Sequence, residues 1–422
     1  MTLIKTGLLN GIAVVIKVLT LLGLNKLLAV YVGPAGYAVI GQFQNAITMF
    51  TAFTAGAVSN GVVKYTAEHH DDEARQHAVW RTAGSLTLGS TVLVSVLIVL
   101  FSRSLAGFFL RDEAYADVFQ WFASGLLFFA FNALLLAILN GKKEVPSFVM
   151  ANIAGSLLSL LLVYVLVTAL GLKGALIGFA VYQSAAFFVT LGICWRKQWF
   201  RLEYLLGPVD RVVVKNLSGY VLMAVTSAVC VPVSHMLVRN HLGETFGQEY
   251  AGYWEAMWRL SAAYLMLVTT TLSVYYLPKL SELKSYASIR HEILQSYRVI
   301  LPVAALCSVC VYLLRDTIIV VLFTDSFVGM RSLVAPQLLG DTLKIGSWIL
   351  GYLMLGKAMF RVYVITEVLS VASFVALTIV LTRLMGFEGV AVAHAVNYFL
   401  YWACLAVIMR RYWLQPHVVG KV

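Results

Sequence analysis

The sequence predicts an all-α integral membrane protein of about twelve transmembrane helices, arranged as two six-helix lobes related by an internal parallel repeat around a central cavity. Three observations predict it: an apolar composition, a regular series of long hydrophobic stretches, and short motifs that recur at one offset. Of the 422 residues, 60% are hydrophobic and 12% charged, with a mean hydropathy of +0.84. A soluble domain carries about 25% charge, so this composition excludes one.

Stretches long enough to cross about 30 Å of hydrocarbon as helices fall at 7–31, 38–65, 79–101, 118–140, 146–169, 174–195, 212–238, 251–278, 293–322, 332–356, 360–383 and 388–409. The segment from Met1 to Gly11 lacks the charged, apolar, small-residue order of a cleaved signal, so the first span is expected to stay in the mature chain. Cys194, Cys230, Cys307, Cys310 and Cys404 sit in or beside apolar runs. Cys307 and Cys310 have CxxC spacing but no second Cys or His pair nearby, and read as inert small residues.

Lys and Arg set the orientation. With both termini cytoplasmic, the inside loops and ends carry 20 of the 31 basic residues and the outside loops seven, namely Arg103, Arg111, Lys173, Arg239, Arg315, Arg331 and Arg383. That bias is the positive-inside pattern. The net charge of +11 is then a topological signal and a contact with anionic lipid head groups, not a nucleic-acid footprint.

Ala35-Gly36-Tyr37 recurs as Ala251-Gly252-Tyr253, displaced by 216 residues. Gly141-Lys142 recurs as Gly356-Lys357, and Leu170-Gly171-Leu172-Lys173-Gly174-Ala175 matches Met385-Gly386-Phe387-Glu388-Gly389-Val390, both displaced by 215. Six spans per half give both halves the same orientation, a parallel repeat about the membrane normal. The expected division is an N-terminal lobe over 1–200, a cytoplasmic linker over 201–211 containing Gly207-Pro208, and a C-terminal lobe over 212–422. Substrate is expected between the lobes.

Four basic and three acidic side chains fall inside the spans: Lys17, Lys26, Arg259 and Lys344, against Glu255, Asp341 and Glu367. An ionised group at the bilayer centre costs roughly 2.5–3.5 kcal/mol on insertion scales, so such groups line a wet cavity or pair. At 100° per residue, Thr6, Asn10 and Lys17 lie within about 20° of one another. Lys26 shares a cavity with Lys17 only if the helix bends, as at Gly23; otherwise it reaches the outer interface near Tyr31. Gln42, Asn45, Met49, Gly56 and Asn60 share a face of the second span, which serves either a cavity or helix–helix hydrogen bonding. Glu255 with Arg259 (i, i+4) and Asp341 with Lys344 (i, i+3) can each neutralise on one helix. Gln337, Asp341, Lys344 and Trp348 form one face, and Glu367 lies beside Tyr363 and Ser370 with no cation in its own turn. An acid so placed either binds a coupling proton or Na⁺ or pairs across helices. The first lobe has lysines and no intramembrane acid, so its cavity wall is net positive and suits a phosphate-bearing ligand.

Gly33-Pro34-Ala35-Gly36-Tyr37, Ser59-Asn60-Gly61-Val62-Val63-Lys64-Tyr65, Tyr275-Tyr276-Leu277-Pro278-Lys279-Leu280-Ser281, Gln337-Leu338-Leu339-Gly340-Asp341-Thr342-Leu343-Lys344 and Gly356-Lys357-Ala358 together resemble the Wzx-type polysaccharide flippases. These belong to the multidrug/oligosaccharidyl-lipid/polysaccharide exporter superfamily. The resemblance spans nearly the whole chain, and the QxxGDxxK-like stretch is its most specific part. It implies twelve helices, a cationic cavity, and inner-membrane translocation of an undecaprenyl-diphosphate-linked glycan, an O-antigen or enterobacterial common antigen repeat unit, from the cytoplasmic to the periplasmic leaflet. Lys17, Lys26, Lys64, Asp341 and Lys344 match family positions, while Ala262 stands about where relatives carry an acid in the eighth span. The resulting expectation places Lys17, Lys26, Lys344, Arg259, Asn10, Gln42, Asn45 and Lys64 on the diphosphate and sugars, and Asp341, Glu367 and Glu255 as cavity acids or H⁺ or Na⁺ sites. The partners are that glycan lipid, membrane lipids and polysaccharide polymerases, with no cofactor.

Two other readings compete. A drug or cation antiporter of the same superfamily shares the span plan, but one that binds cations should carry acids in its first lobe. A glycan polymerase or ligase works on a large outside loop, and here these loops are short; Asp112, Glu113 and Asp117 read as solvated surface. His69, His70 and His77 with Asp71, Asp72 and Glu73 read as a solvated turn, and His235 and His394 as packing residues or proton relays. No phosphate-cradling glycine loop or nucleophile elbow is present, which speaks against direct ATP use and catalysis.

Overall fold

The computed structural model describes residues 3–276, 279–280, 283, 285–357 and 359–410, without the side chains of 3–10, 55–57, 60, 216–224, 267, 271 and 273–274. Leu277, Pro278, Ser281 and Ala358 of the motifs above, and the side chains of Thr6, Asn10, Gly56 and Asn60, lie outside the described residues.

The described residues are helical, with no strand among them. The helices are α1 (Leu3–Tyr31), α2 (Gly33–Thr51), α3 (Ala57–Glu68), α4 (Glu73–Leu100), α5 (Ser102–Leu105), α6 (Ala116–Gly141) and α7 (Val145–Trp195). They continue with α8 (Arg211–Thr245), α9 (Gln248–Thr271), α10 (Tyr286–Leu313), α11 (Arg315–Leu322), α12 (Val334–Gly356), α13 (Phe360–Met385) and α14 (Gly389–Ile408). A π-helical turn, Ala52–Gly56, joins α2 to α3 as one pass, and another, Leu272–Tyr276, extends α9.

Eight passes lie in six strongly apolar runs, because Val145–Trp195 (51 residues) and Phe360–Ile408 (49 residues) each hold two. The other four passes are α2 with α3, α8, α9 and α12, and they carry most of the polar and charged side chains at issue. Twelve passes result among the described residues, as the sequence predicts.

The breaks inside the two longest runs coincide with the repeat. Gly171 (φ 57°, ψ −135°) and Gly386 (φ 71°, ψ −153°) take nearly the same left-sided backbone geometry, which only glycine adopts without strain. Three residues on, a Cβ on Gly174 would sit 1.8 Å from the Leu166 carbonyl oxygen, and one on Gly389 2.3 Å from that of Leu381. Sequence self-similarity and turn geometry therefore report one ancestral hairpin, used twice.

The chain divides into two compact units, Met1–Val32 with Val39–Met236, and Gly33–Ala38 with Leu237–Val422. The division cuts α2 near its start and α8 within its body. In the first unit α6 packs along both α1-flanked α7 and the α3–α4 pair. Its interior is aromatic: Phe43 meets Phe119 edge-on at 5.5 Å and Phe122 at 6.3 Å. One end is closed by polar contacts, with Trp80 Nε1 donating to Thr66 Oγ1 (2.9 Å), Gln76 Nε2 to the Thr66 carbonyl (2.8 Å) and Lys142 Nζ to Gln76 Oε1 (3.1 Å). Beside them Lys197 Nζ donates to Glu144 (2.7 Å), and this bond holds the Glu144 carboxyl below its ordinary range.

In the second unit α12 is the central helix, flanked by α9, α10, α13 and α14. Gly346 lets the Trp402 ring lie against α12, where an added Cβ would be 2.9 Å from the indole. Trp402 Nε1 donates to Tyr297 OH (2.9 Å), which donates to the Gly346 carbonyl (3.0 Å). Lys357, the repeat counterpart of Lys142, donates to the Leu283 carbonyl. In both units, then, this lysine ties the fourth pass to the segment after the second.

Candidate functional site

The second unit contains two buried charge clusters, both resting on α9. The first joins α8 to α9. Arg239 Nη1 donates to Glu255 Oε2 at 2.7 Å, and Arg259 Nε to Glu255 Oε1 at 3.0 Å. The Arg239 guanidinium also lies over the Trp254 ring (5.9 Å) and that of Arg259 over Tyr37 (5.3 Å). Two guanidiniums share one carboxylate, so the triad is net positive. Arg239 is only 2% exposed, and its Nε and Nη2 have no hydrogen-bond partner among the described residues.

This corrects the reading of Arg239 as an outside-loop residue. Helix α8 runs seven residues past the predicted boundary, to Thr245, so Arg239 lies within the helix. Hydropathy ended the span early because Arg-Asn-His-Leu-Gly-Glu-Thr is polar; a buried counter-ion on the next helix lets the helix continue.

The second cluster centres on Asp341 of α12, which is fully buried. Oδ1 pairs with His394 Nε2 of α14 at 3.0 Å and accepts from Gln337 Nε2 at 3.4 Å; Oδ2 accepts from Ser261 Oγ of α9 at 2.6 Å and from the Tyr264 hydroxyl. Gly340 makes the α12–α14 approach feasible, since an added Cβ would be 2.3 Å from His394 Cδ2 and 3.0 Å from the Ala395 nitrogen. An ionised carboxylate is acceptor-only, and here each oxygen has donors, which is how a charge survives away from water.

Lys344 does not pair with Asp341, contrary to the expectation of neutralisation along one helix: no ion pair within 4.0 Å joins them among the described residues. Its ammonium, 6% exposed, instead sits over three aromatic faces, Trp258 at 4.3 Å, Trp348 at 5.0 Å and Tyr398 at 5.3 Å. Such a cage holds a cation without an anion. Glu367 on α13 is half-buried and acts on Lys344 through space, with no ion pair of its own among the described residues.

The remaining predicted residues lie in the first unit and do not form one cluster. Lys17 is exposed on α1, and Lys26, nine residues on and so on the opposite side of an unbroken helix, lines an apolar groove of about 540 Å³ with Gly23, Tyr31, Leu160 and Tyr164. Gln42 Nε2 and Asn45 Nδ2 donate to carbonyls of α8, at Met236 (3.5 Å) and Pro232 (3.1 Å). That is the helix–helix bonding the sequence allowed, placed beside the in-helix proline of α8. Lys64 is exposed, its ammonium 4.9 Å from the Tyr65 ring. Asn10 lies in α1, and its side chain is outside the described set.

Sequence reasoning missed Arg239, Ser261, Tyr264 and the aromatic cage, and left His394 undecided. One signal was available: Trp254, Trp258 and Ser261 recur at i, i+4 and i+7 on α9, a stripe aimed at both clusters.

The comparisons with known proteins agree with this architecture. Residues 3–284 match the family model described as polysaccharide biosynthesis protein. The chain is 31% identical over 410 residues to the lipid III flippase of Escherichia coli (strain K12) and likewise to that of Shigella flexneri, covering 97% of this chain and 99% of each relative. Among solved structures, an inward-facing multidrug resistance MATE family transporter of the MOP superfamily aligns with a TM-score of 0.77 at 13% identity, over 95% of this chain and 96% of that one. An outward-facing MATE family transporter aligns with a TM-score of 0.72 at 15% identity, over 94% of each chain. These likenesses establish a shared fold, and the sequence match goes further: the chain belongs to the polysaccharide biosynthesis protein family.

Proposed function

We propose that this protein is a flippase that carries an undecaprenyl-diphosphate-linked oligosaccharide, an O-antigen or enterobacterial common antigen repeat unit, across the bacterial inner membrane. The observation that carries the reading is the near full-length match to two lipid III flippases. Buried cations add to it: Lys344 has aromatic rings in place of a carboxylate, and Arg239 keeps two buried nitrogens without a hydrogen-bond partner among the described residues. Both arrangements leave positive charge for an anionic head group to complete.

In this proposal the termini are cytoplasmic and the six-helix lobes, divided about residues 201–211, alternate access around a cavity between them. Lys17, Lys64, Arg259 and Lys344 meet the diphosphate, and Asn10, Gln42 and Asn45 the first sugars. The polyprenyl tail stays in lipid. Asp341, Glu255 and Glu367 couple the step to H⁺ or Na⁺, and a polysaccharide polymerase receives the product.

Deletion of the gene should cause an undecaprenyl-linked repeat unit to accumulate on the cytoplasmic side, measured by glycan-lipid profiling of inside-out and right-side-out vesicles. Unchanged glycan lipids on both sides would remove the proposal, and a full-length polymer lacking only its final attachment would favour a ligase.

A further inference from the structure

Asp341 and His394 are a hydrogen-bonded acid–imidazole pair, fully buried, 53 residues apart in sequence. Neutral imidazole facing an ionised carboxylate through Nε2 carries its proton there, because the carboxylate can only accept. Nδ1 is then a bare lone pair, and this atom has no hydrogen-bond partner among the described residues. A buried acceptor left unpaired is costly, and a proton is the smallest species that relieves it.

The surroundings are aromatic. Around the imidazole stand Tyr398 (4.8 Å), Trp258 (5.1 Å) and Phe374 (6.1 Å), all edge-to-face. Trp258 and Tyr398 are also two of the three rings that cage Lys344. The charged and titratable groups facing the pair are Asp341 and Lys344 from α12, Tyr264 from α9 through Asp341, Glu367 from α13 through Lys344, and Tyr398 on His394's own helix.

Charge counting gives the sign of the effect. With His394 neutral and Glu367 protonated, Asp341 and Lys344 cancel. A proton on His394 Nδ1 makes an imidazolium that pairs with Asp341, leaves the Lys344 charge unbalanced, and sets a second cation against two of its rings. An anion at Lys344 restores neutrality. We propose that Asp341–His394 is a proton-binding pair whose occupancy is linked to anion binding at Lys344, so that a proton and a diphosphate are taken up together. This rests on the flippase reading above and adds the coupling group and the direction of its linkage.

The test uses the full-length protein in nanodiscs, with farnesyl diphosphate as the probe. Calorimetry in buffers of differing ionisation enthalpy should show proton uptake on binding, and the affinity at pH 6 relative to pH 8 should be about tenfold higher for wild type than for His394→Gln, a linkage of the usual allosteric size. The glutamine amide still donates to Asp341 but takes no proton, and titration of the ligand itself cancels in the ratio. Equal pH dependence in the two proteins, or sodium dependence without proton uptake, overturns the proposal. Asp341→Asn, which removes the pairing charge, should lose the linkage as well.

NMR of labelled histidine separates the two layers. One imidazole signal, missing in His394→Gln, should move to its protonated position as pH falls from 8 to 5. If that signal titrates while the probe fails to bind, the flippase reading is at fault; if it stays neutral with the probe bound, the pair is.

Discussion

Where the second unit holds Gln337, Asp341 and Lys344, the first holds, 215 residues earlier, Phe122, Leu126 and Phe129, and the counterpart of His394 is Phe179. The scaffolds otherwise correspond: Gly125 and Gly340 both allow a close helix approach, and Gly171 and Gly386 turn alike. One packing plan thus accepts an oily interior or an ionised one. The ionised version is the costlier in a bilayer, so its presence points to use rather than to folding.

The largest expected effects come from exchanging the two interiors. Leu126→Asp puts a carboxylate in the buried interior of the first unit, and Asp341→Ala strips His394, Ser261 and Tyr264 of their acceptor. Each should cost about 3–5 kcal/mol, read as lost folded fraction in detergent unfolding titrations. If Leu126→Asp were tolerated, the first interior would be wet and the contrast would fail.

Glu255→Ala comes next, leaving two guanidiniums facing each other, at about 3 kcal/mol by the same reasoning. The triple change Glu255→Leu with Arg239→Met and Arg259→Met should recover much of that loss, because it removes both stranded charges as well as the bonds; the same titration measures both.

A finer test is steric. Gly340→Ala meets an imidazole edge and a backbone nitrogen, whereas Gly125→Ala meets the Ser184 hydroxyl at 2.5 Å, which can rotate. About 2 kcal/mol is expected for the first and under about 1 kcal/mol for the second, with His394 signals disturbed only by Gly340→Ala.

The smallest effect belongs to the Glu144–Lys197 clasp. The folded carboxyl lies below its ordinary 4.5, so the stabilisation is complete above that value and disappears as pH falls through the depressed one. Glu144→Gln should lower thermal stability by about 0.5 kcal/mol at pH 7, the order of a partly exposed pair, and by nothing once the wild-type carboxyl is protonated.

Much of the fold could be read from one strand of text because each pass is an apolar run and each repeat glycine fills a geometric need. The site was less legible. Periodicity ranks neighbours on one helix, and so it paired Asp341 with Lys344, three residues away. The partners that matter sit on α9 and α14, 80 and 53 residues away. The lysine's true companions are aromatic rings, which sequence inspection counts as core. Arg239 escaped because burial of its charge depends on Glu255, a fact of packing that no hydropathy window contains.

The turns at Gly171 and Gly386 bear also on how the chain is made. A connection this short leaves no tether for two passes to enter lipid one after the other. The fifth cannot be released sideways into the membrane until the sixth has emerged behind it, and the eleventh must likewise wait for the twelfth. Such a pair is suited to enter the membrane as a single closed hairpin, and a residue with a side chain at the bend should be felt during synthesis, as lowered yield of inserted protein.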